Sequence, residues 1–255
     1  MKRIATIIFA SVLVVTAHAG WRGAFDDAYF AQPVAAVSTS WPYAGDITND
    51  LFGWWMVTTN GTDWSTNNST LTLVGSPTSA TGKPQPCLNF DYIDDYCYGP
   101  TTLMNNPANG TLMTWVYFSV TGTQAYVWSF STMVGKGSQY LTWGRWPDTL
   151  KMRMMYYDGT QRLLDGDFVL TNNAWYHVAI TWNTTNSWWY VDGQSDGNST
   201  IYSPAKISAA HLNGSFWIGK NASGSQLFGG ILSDLRYYDR PLTSNEVFTI
   251  YNLYK

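Results

Sequence analysis

The feature that most constrains this chain is a series of short apolar runs separated by turn-forming residues. The runs lie between Leu51 and Tyr238 and are rich in Val, Ile, Thr and aromatic residues, which fit a pleated surface. The run 175–182 (WYHVAITW) alternates between apolar and polar residues, which predicts a strand with one buried and one wetter face. Turn signals such as DG at 158–159 and 192–193 separate the runs. Because no helical period intervenes, the pattern predicts an all-β sandwich or jelly roll.

One short helix is predicted at the C-terminal end. Thr243 and Glu246 form a capping box, in which Thr243 is the N-cap residue and Glu246 reaches back to it. The residues that follow would place one apolar stripe on a helix: Val247, Ile250, Tyr251 and Tyr254. Residues 20–49 lack a clear period, and we interpret them as an arm packed on a single domain that occupies 50–255.

The first 19 residues have the pattern of a cleavable secretory signal peptide. Lys2 and Arg3 precede an apolar run over 4–15, and AHA at 17–19 is a small-x-small cleavage site. The run is shorter than the about 20 apolar residues of a spanning helix, although an uncleaved N-terminal anchor is the alternative. We expect a secreted or surface-associated protein that begins near Gly20. No second apolar stretch approaches spanning length, so no membrane span is expected.

Charge argues against nucleic acid as a partner. Charged residues make up 12% of the chain, and removal of Lys2 and Arg3 leaves 12 basic against 17 acidic residues, a net charge near −5. The chain contains no basic run. A phosphate-binding surface needs clustered Lys and Arg, so no nucleic-acid partner is expected.

The two cysteines of the chain, Cys87 and Cys97, flank the tetrapeptide DYID at 91–94. If that tetrapeptide turns a hairpin, the two residues lie nearly opposite each other, and export makes a disulfide chemically possible. Closing so short a loop would contribute roughly 2–3 kcal/mol. We predict the bridge, and two free thiols in adjacent strands are the alternative.

Eight asparagines, Asn67 among them, fit the pattern N-x-S/T of glycosylation acceptors. The predicted glycosylation sites are Asn60, Asn68, Asn109, Asn183, Asn198, Asn213 and Asn221. This number favours a glycosylated product of a eukaryote or its virus. The alternative is that Asn, Ser and Thr simply crowd the loops.

Several segments, in order, resemble one family. They are DLFGWW (50–55), TLVGSP (72–77), TGK (81–83), LNFDYIDDY (88–96), WYHVAITW (175–182), WYVDG (189–193) and FGGILSDLRYYDRPLT (228–243). Their order and spacing are similar to those of the laminin-G-like, concanavalin-A-type jelly-roll domains over roughly residues 50–254. The resemblance implies an antiparallel two-sheet jelly-roll sandwich with a short C-terminal helix. Tyr92 stands where the family has a hairpin glycine, so this turn is expected to differ in detail.

The resemblance leaves function open, because the family includes lectins, adhesion modules and domains attached to secreted hydrolases. Glycosidases of this fold use paired carboxylates, usually glutamates, and Glu246 is the single Glu of the chain. Jelly-roll lyases typically need a His/Tyr pair, but His177 fits the structural strand motif and His211 lies in a turn-rich segment. We therefore expect no catalytic residues.

A calcium site is predicted from the resemblance. Asp234 lies in the final strand, where related jelly rolls often hold a structural Ca²⁺, and Asp91 is the second candidate ligand. Ca²⁺ takes carboxylates and backbone carbonyls. The alternative is that Asp234 faces solvent or hydrogen-bonds Arg236.

Aromatic residues divide into a predicted core and a predicted binding surface. The core set lies on strands that match the family framework: Trp54, Trp115, Trp175, Trp182 and Trp217. The predicted ligand-binding residues are Trp143, Arg145, Trp146, Tyr157 and Asp158, from a turn-like cluster over 140–148 and the strand that follows. Aromatic faces that stack on sugar rings beside charged groups are typical of glycan recognition. A tightly packed hairpin with buried indoles is the alternative.

These observations favour a secreted, non-catalytic recognition module that binds glycan or a glycosylated surface. A structural or adhesive surface or virion protein that binds a protein partner is the second hypothesis. A polysaccharide lyase is the third, and the discriminating measurements are saccharide binding, protein pull-down and product release.

Overall fold

The computed structural model describes residues 46–56, 59–84, 86–99, 108–119, 125–131, 140–157, 160–199, 215–221 and 227–255. The predicted signal peptide, 1–19, and the predicted arm up to residue 45 lie outside these ranges. All of the described residues belong to the unit Pro42–Lys255. No helix among them is long and apolar enough to cross a membrane.

Fifteen strands and one helix follow one another in the described part of the chain. They are β1 (Leu51–Trp55), β2 (Thr72–Val74), β3 (Thr78–Ala80), β4 (Cys87–Asp91), β5 (Tyr96–Gly99), β6 (Gly110–Phe118), β7 (Ala125–Ser131), β8 (Tyr140–Arg145), β9 (Met152–Tyr157), β10 (Gln161–Asp165), β11 (Trp175–Trp182), β12 (Ser187–Val191), β13 (Gln194–Ser199), β14 (Ser215–Ile218), β15 (Gly229–Tyr238) and α1 (Ser244–Tyr254). An eight-stranded sheet has the order β13-β12-β11-β6-β15-β4-β3, with β1 beside β15. A seven-stranded sheet has the order β10-β9-β8-β7-β14-β5-β2. This architecture confirms the predicted antiparallel two-sheet sandwich with a C-terminal helix.

The core lies between the inner faces of the two sheets. Period-two alternation sends one set of β11 side chains into it: Tyr176, Val178, Ile180 and Trp182. From the other sheet, β14 contributes Phe216 and Ile218 to the same cluster. Burying such a side chain fully stabilises the fold by roughly 1.5–3 kcal/mol relative to its exposure.

A bulge in β15 changes the side to which its residues point. The pairing with β6 shifts between Ser233 and Arg236, and Asp234 has a left-handed φ of +50°. An extra residue in one strand re-aims the side chains beyond it. As a result, Leu235 joins the core while Asp234 reaches Trp54 on the outer face.

The helix α1 begins where the capping box predicted. The Glu246 amide donates to Thr243 Oγ1 at 3.3 Å, and the Thr243 amide donates to Glu246 Oε2 at 2.8 Å. Its buried residues are Val247, Ile250 and Tyr254. Tyr251 stacks on Trp115 of β6 with ring centroids 5.6 Å apart, so the helix covers the outer face of the eight-stranded sheet.

Two edge strands, β3 and β13, were not predicted from the sequence. Their residues are TSA and QSDGNS, which lack the apolar alternation that marks the inner strands.

The turn after β4 has a left-handed backbone conformation, because Tyr92 adopts a φ of +69° there. Tyr92 thus takes the left-handed conformation that glycine favours, at the position where the resembling family has glycine.

Candidate functional site

The predicted ligand-binding cluster does not form on the surface. Trp143 is 0% exposed and belongs to the core, with its ring centroid 6.2 Å from that of Trp189. Arg145 points to the same side of β8 and is buried, with NH1 donating to Leu170 O at 3.3 Å and to Asn172 Oδ1 at 2.6 Å. Burial lowers the pKa of Arg145 to about 10. Assigning Trp143 and Arg145 to a binding surface is therefore wrong, because alternation places both on the inner face.

Trp146 lies beyond the end of β8, where the chain turns. It is half-buried, and the Arg153 guanidinium carbon lies 4.7 Å from its ring centroid. Arg153 is in turn paired with Asp165 through Nε at 2.5 Å. The side chain of Tyr157, and Asp158 altogether, lie outside the described residues. The structure thus leaves Trp146 with a guanidinium over its ring and separates it from buried Trp143.

The two cysteines are free, buried thiols, so the disulfide prediction is wrong. Cys87 lies on β4 in the eight-stranded sheet, whereas Cys97 lies on β5 in the seven-stranded sheet. The tetrapeptide between them does not turn a hairpin but crosses from one sheet to the other. Burial raises the pKa of Cys87 to about 11 and that of Cys97 to about 12, so both stay protonated.

Asp234 hydrogen-bonds Arg236, which was the alternative to metal binding in the sequence analysis. Its Oδ1 accepts hydrogen bonds from Trp54 Nε1 and Arg236 Nε, both at 2.7 Å, and its side chain is fully buried. A guanidinium so close would repel a cation. The predicted Ca²⁺ ligation by Asp234 therefore does not fit its surroundings.

Asp91 lies in an acidic turn. One carboxylate oxygen from each of Asp91, Asp94 and Asp95 lies within 4.8 Å of the other two. Hydrogen bonds, first from the Ile93 amide, lower the pKa of Asp91. Asp95 Oδ1 accepts from the Ser76 amide at 2.7 Å, and its Oδ2 from the Asp91 amide at 3.0 Å. The oxygen donors suit Ca²⁺, but turn amides already satisfy Asp95, so calcium binding here stays a prediction.

Five of the predicted glycosylation sites lie outside strands and none of these five is buried: Asn60, Asn68, Asn109, Asn183 and Asn221. Asn198 lies in the backbone of β13, and Asn213 lies outside the described residues. This placement is compatible with modification of the five loop sites, which stays a prediction.

Three aromatic rings lie side by side on the outer face of the seven-stranded sheet. Trp217 of β14 has its ring centroid 5.6 Å from that of Tyr96 and 5.8 Å from that of Tyr98, both on β5. Tyr98 is 39% exposed, and Trp217 and Tyr96 are half-buried. The ammonium of Lys220 lies over the same rings, 3.9 Å from the Tyr96 centroid. We call these four residues the aromatic face.

A polar groove adjoins the aromatic face at Tyr98. Its volume is about 570 Å³. It is lined by Asn67, Asn68, Ser69, Thr70, Thr72, Tyr98 and Gly99. One wall is therefore an exposed phenol ring, and the rest offers amide and hydroxyl groups, which both donate and accept hydrogen bonds.

A buried carboxylate holds the loop that forms the groove. Asp63 Oδ1 accepts from the Trp54 amide at 2.9 Å and from the Ser65 amide at 2.8 Å. Its Oδ2 accepts from the Ser69 amide at 2.7 Å, and Asn67 Nδ2 donates to the Phe52 carbonyl at 2.8 Å. These bonds fix the groove to β1, so a ligand would meet a surface that is already ordered.

Sequence reasoning missed this site and assigned Trp217 to the core, which the structure corrects. The alternation of side chains along β14 and β5 could have predicted the outward position of these aromatic residues. On β14, Phe216 and Ile218 are buried, so Trp217 between them must point outward. On β5, buried Cys97 separates the outward Tyr96 and Tyr98 in the same way.

A sequence profile described as the Concanavalin A-like lectin/glucanases superfamily (Laminin_G_3) matches residues 91–248. The chain belongs to this family. Neuronal pentraxin-1 of Rattus norvegicus is 29% identical over 117 residues, which are 43% of this chain and 26% of that protein. The match thus spans about a quarter of this relative's length. The family confirms the resemblance on which the fold prediction rested.

Solved structures of similar fold include binding domains. Domain 4 of AbnA, an extracellular GH43 arabinanase of Geobacillus stearothermophilus in complex with arabinotriose, has a TM-score of 0.67 at 16% identity, covering 81% of this chain and 98% of that one. The binding domain of Paraclostridial Mosquitocidal Protein 1 has a TM-score of 0.62 at 15% identity, covering 80% of this chain and 52% of that one. At these identities the likeness shows the fold.

Proposed function

We propose that this chain is a secreted, non-catalytic carbohydrate-recognition domain that binds glycan on the aromatic face. The observation that carries the proposal is the exposed Tyr98 beside Trp217, next to the groove of amide and hydroxyl groups. Aromatic faces supply stacking area, and a few placed polar groups fix the orientation of a ligand. Both components meet at Tyr98.

Two of the three candidate acid–base residues have structural roles, and the third, His211, lies outside the described residues. Glu246 is engaged by Arg240 NH2 at 2.7 Å and caps α1. His177 is fully buried, between Trp115 and Tyr251. Neither side chain lies on the aromatic face. The secretory part of the proposal depends on the signal peptide pattern over 1–19.

Proteins of the same fold support a saccharide as the ligand. The AbnA domain was solved with arabinotriose, and another similar structure concerns a botulinum neurotoxin type C that interacts with two ganglioside molecules. These ligands belong to those proteins. Saccharide binding therefore occurs in two different proteins of this fold.

Calorimetry on the purified protein tests the proposal, with arabinotriose and a panel of plant, microbial and animal oligosaccharides as probes. We expect at least one probe to bind, and Trp217→Ala to weaken it at least tenfold. Because Trp217 is half-buried on an outer face, this variant should lose far less stability than the about 3–5 kcal/mol of a core Trp→Ala.

The matched control is Phe248→Ala, which removes an aromatic side chain that is 42% exposed on α1. It should bind as the unchanged protein does. If Trp217→Ala and Tyr98→Ala keep full affinity, the aromatic face is not the site. Absence of binding by every probe at millimolar concentration would contradict carbohydrate recognition itself.

Recognition of a protein partner is the second candidate, favoured by the turn after β4. Ile93 is 75% exposed there beside exposed Tyr92. Exposed apolar side chains are common contact groups when they gather into patches. A partner that is captured by the protein, lost on Ile93→Asp and not displaced by saccharide would favour this function.

A further inference from the structure

Lys220 occupies one end of the aromatic face. The chain passes from β14 through Gly219, whose φ is +80°, and Lys220 then forms a β-bridge with Leu227. Its ammonium nitrogen lies 3.9 Å from the Tyr96 ring centroid and 4.7 Å from that of Trp217. Two rings thus hold one cation on the side of the face that lies away from the groove.

The ammonium has no carboxylate partner within the part of the chain that the structure describes. Four other basic side chains do have one: Lys151 with Asp167, Arg153 with Asp165, Arg236 with Asp46 and Asp234, and Arg240 with Asp50 and Glu246. The neighbouring Asp95 accepts from the backbone amides of Ser76 and Asp91 instead. Among the described basic side chains, Lys220 is the one that lies over the rings of the aromatic face, so its charge is available to a ligand bound there.

Ring contacts leave the binding capacity of the ammonium largely unused. The lysine ammonium has three N–H donors. The π-face of an aromatic ring attracts its charge, but an anion accepts a stronger and more directed hydrogen bond. The rings also restrict the long lysine side chain, so less conformational entropy is lost when an anion binds. The groove at the other end, in contrast, is lined by uncharged side chains.

We infer that the glycan bound at the aromatic face is anionic, with a uronate carboxylate or a sulfate group bound by Lys220. This inference rests on the proposed function and adds the class of ligand to it. The charged sugar lies at the Lys220 end, the ring stacks on Trp217 and Tyr98, and neutral hydroxyl groups extend toward Thr72 and Asn68. Trp217 is then a stacking residue, and Lys220 determines specificity.

Matched saccharides test the charge. We would measure by calorimetry the binding of trigalacturonic acid, of its fully methyl-esterified neutral form, and of a sulfated galactose trisaccharide beside its unsulfated form. The unchanged protein should bind at least one anionic form about tenfold more tightly than its neutral counterpart. The uronate and sulfate arms distinguish the two sources of charge. Raising NaCl from 20 to 300 mM should reduce the difference, because salt screens an exposed pair.

Variants separate Lys220 from its surroundings. Lys220→Gln should abolish the anionic preference, and Lys220→Arg should keep most of it. Lys255→Gln is the matched control, because Lys255 also lies near an aromatic ring, 5.8 Å from the Tyr251 centroid. Thermal melts of each variant confirm folding.

Three results would overturn the inference, and they differ in what they say of the proposed function. Equal binding of neutral and anionic forms, lost in Trp217→Ala and unchanged in Lys220→Gln, removes the charge assignment and keeps carbohydrate recognition. Absence of binding by all charged and neutral probes removes both. An anionic preference that survives Lys220→Gln also overturns the role of Lys220.

Discussion

Each sheet of the sandwich carries a cation over aromatic rings on its outer face, but the two cations have different surroundings. On the eight-stranded sheet, the Arg236 guanidinium carbon lies 4.3 Å from the Trp54 ring centroid, fully buried and paired with Asp46 and Asp234. On the seven-stranded sheet, Lys220 lies over Tyr96 at 3.9 Å and is partly exposed. Helix α1 covers the first arrangement, which we call the closed face. The second arrangement meets solvent.

Burial explains why Arg236 requires carboxylate partners, and exposure to solvent explains how Lys220 is stable without one among the described residues. A buried charge must be compensated by opposite charge and hydrogen bonds, whereas water solvates an exposed one. Burial by itself would lower the pKa of Arg236, but Asp234, together with Tyr238 and Asp46, raises it well above its ordinary value. A cation whose charge is balanced by carboxylates stabilises the fold, whereas a cation without a carboxylate partner can still bind an anionic ligand.

The largest expected effect comes from removing the buried cation. Arg236→Met leaves Asp46 and Asp234 without their partner, so we expect a loss of about 3–5 kcal/mol in the free energy of unfolding. Urea denaturation measures it. Arg240→Met is the control, because its pairs with Glu246 and Asp50 are partly exposed, and it should cost about 1 kcal/mol or less. Similar losses in both variants would contradict the comparison.

The second effect is a dependence of stability on pH that originates on the closed face. Burial, reinforced by the charge of Arg236, lowers the pKa of His177 from 6.5 to about 3. The unfolded chain binds a proton below pH 6.5 and the folded chain does not, so the stability present above pH 6.5 falls as pH drops toward 3. The slope can reach about 1.4 kcal/mol per pH unit.

Denaturation of the unchanged protein and of His177→Phe between pH 7.5 and 4 measures that slope. Phe cannot bind a proton, so the variant should lose stability less steeply over this range. If both proteins respond to pH in parallel, His177 does not control the acid sensitivity of the closed face.

The smallest effect concerns the cap of α1. The hydrogen bond from Arg240 lowers the pKa of Glu246 to about 2. Its contribution is therefore present above the ordinary pKa of 4.5 and is lost as pH falls toward 2. We expect Glu246→Gln to cost about 1 kcal/mol at pH 7, with the difference disappearing by pH 2. Asp167→Asn, at a carboxylate that is 81% exposed, should change nothing measurable.

Local signals predicted the elements well. The strand β11 and the capping box of α1 depend on neighbouring residues, and both elements form as predicted. The wetter face predicted for β11 is wrong, because His177, Ala179 and Thr181 are buried as well. The resemblance also identified the sandwich, which the family match confirms. Secondary structure that depends on residues close together in the sequence can be predicted without knowing which sheet a strand joins.

The predicted binding surface failed for a non-local reason. Alternation divides a strand into two faces, but which face is buried depends on the second sheet. Trp143 and Trp217 both occur in alternating runs, yet Trp143 is in the core and Trp217 lies on the outer face. The cysteines show the same limit, because their spacing could not reveal that β4 and β5 join different sheets.

The sequence by itself determined the period-two strands, the capped helix and the scarcity of acid–base groups. The tertiary structure decided which aromatic residues reach solvent and which charges meet. Asp234 shows the reason: one bulge in β15 turns it away from the core and toward Trp54 and Arg236. Period is a property of a single strand, whereas burial and charge compensation arise only where strands from distant parts of the chain pack together.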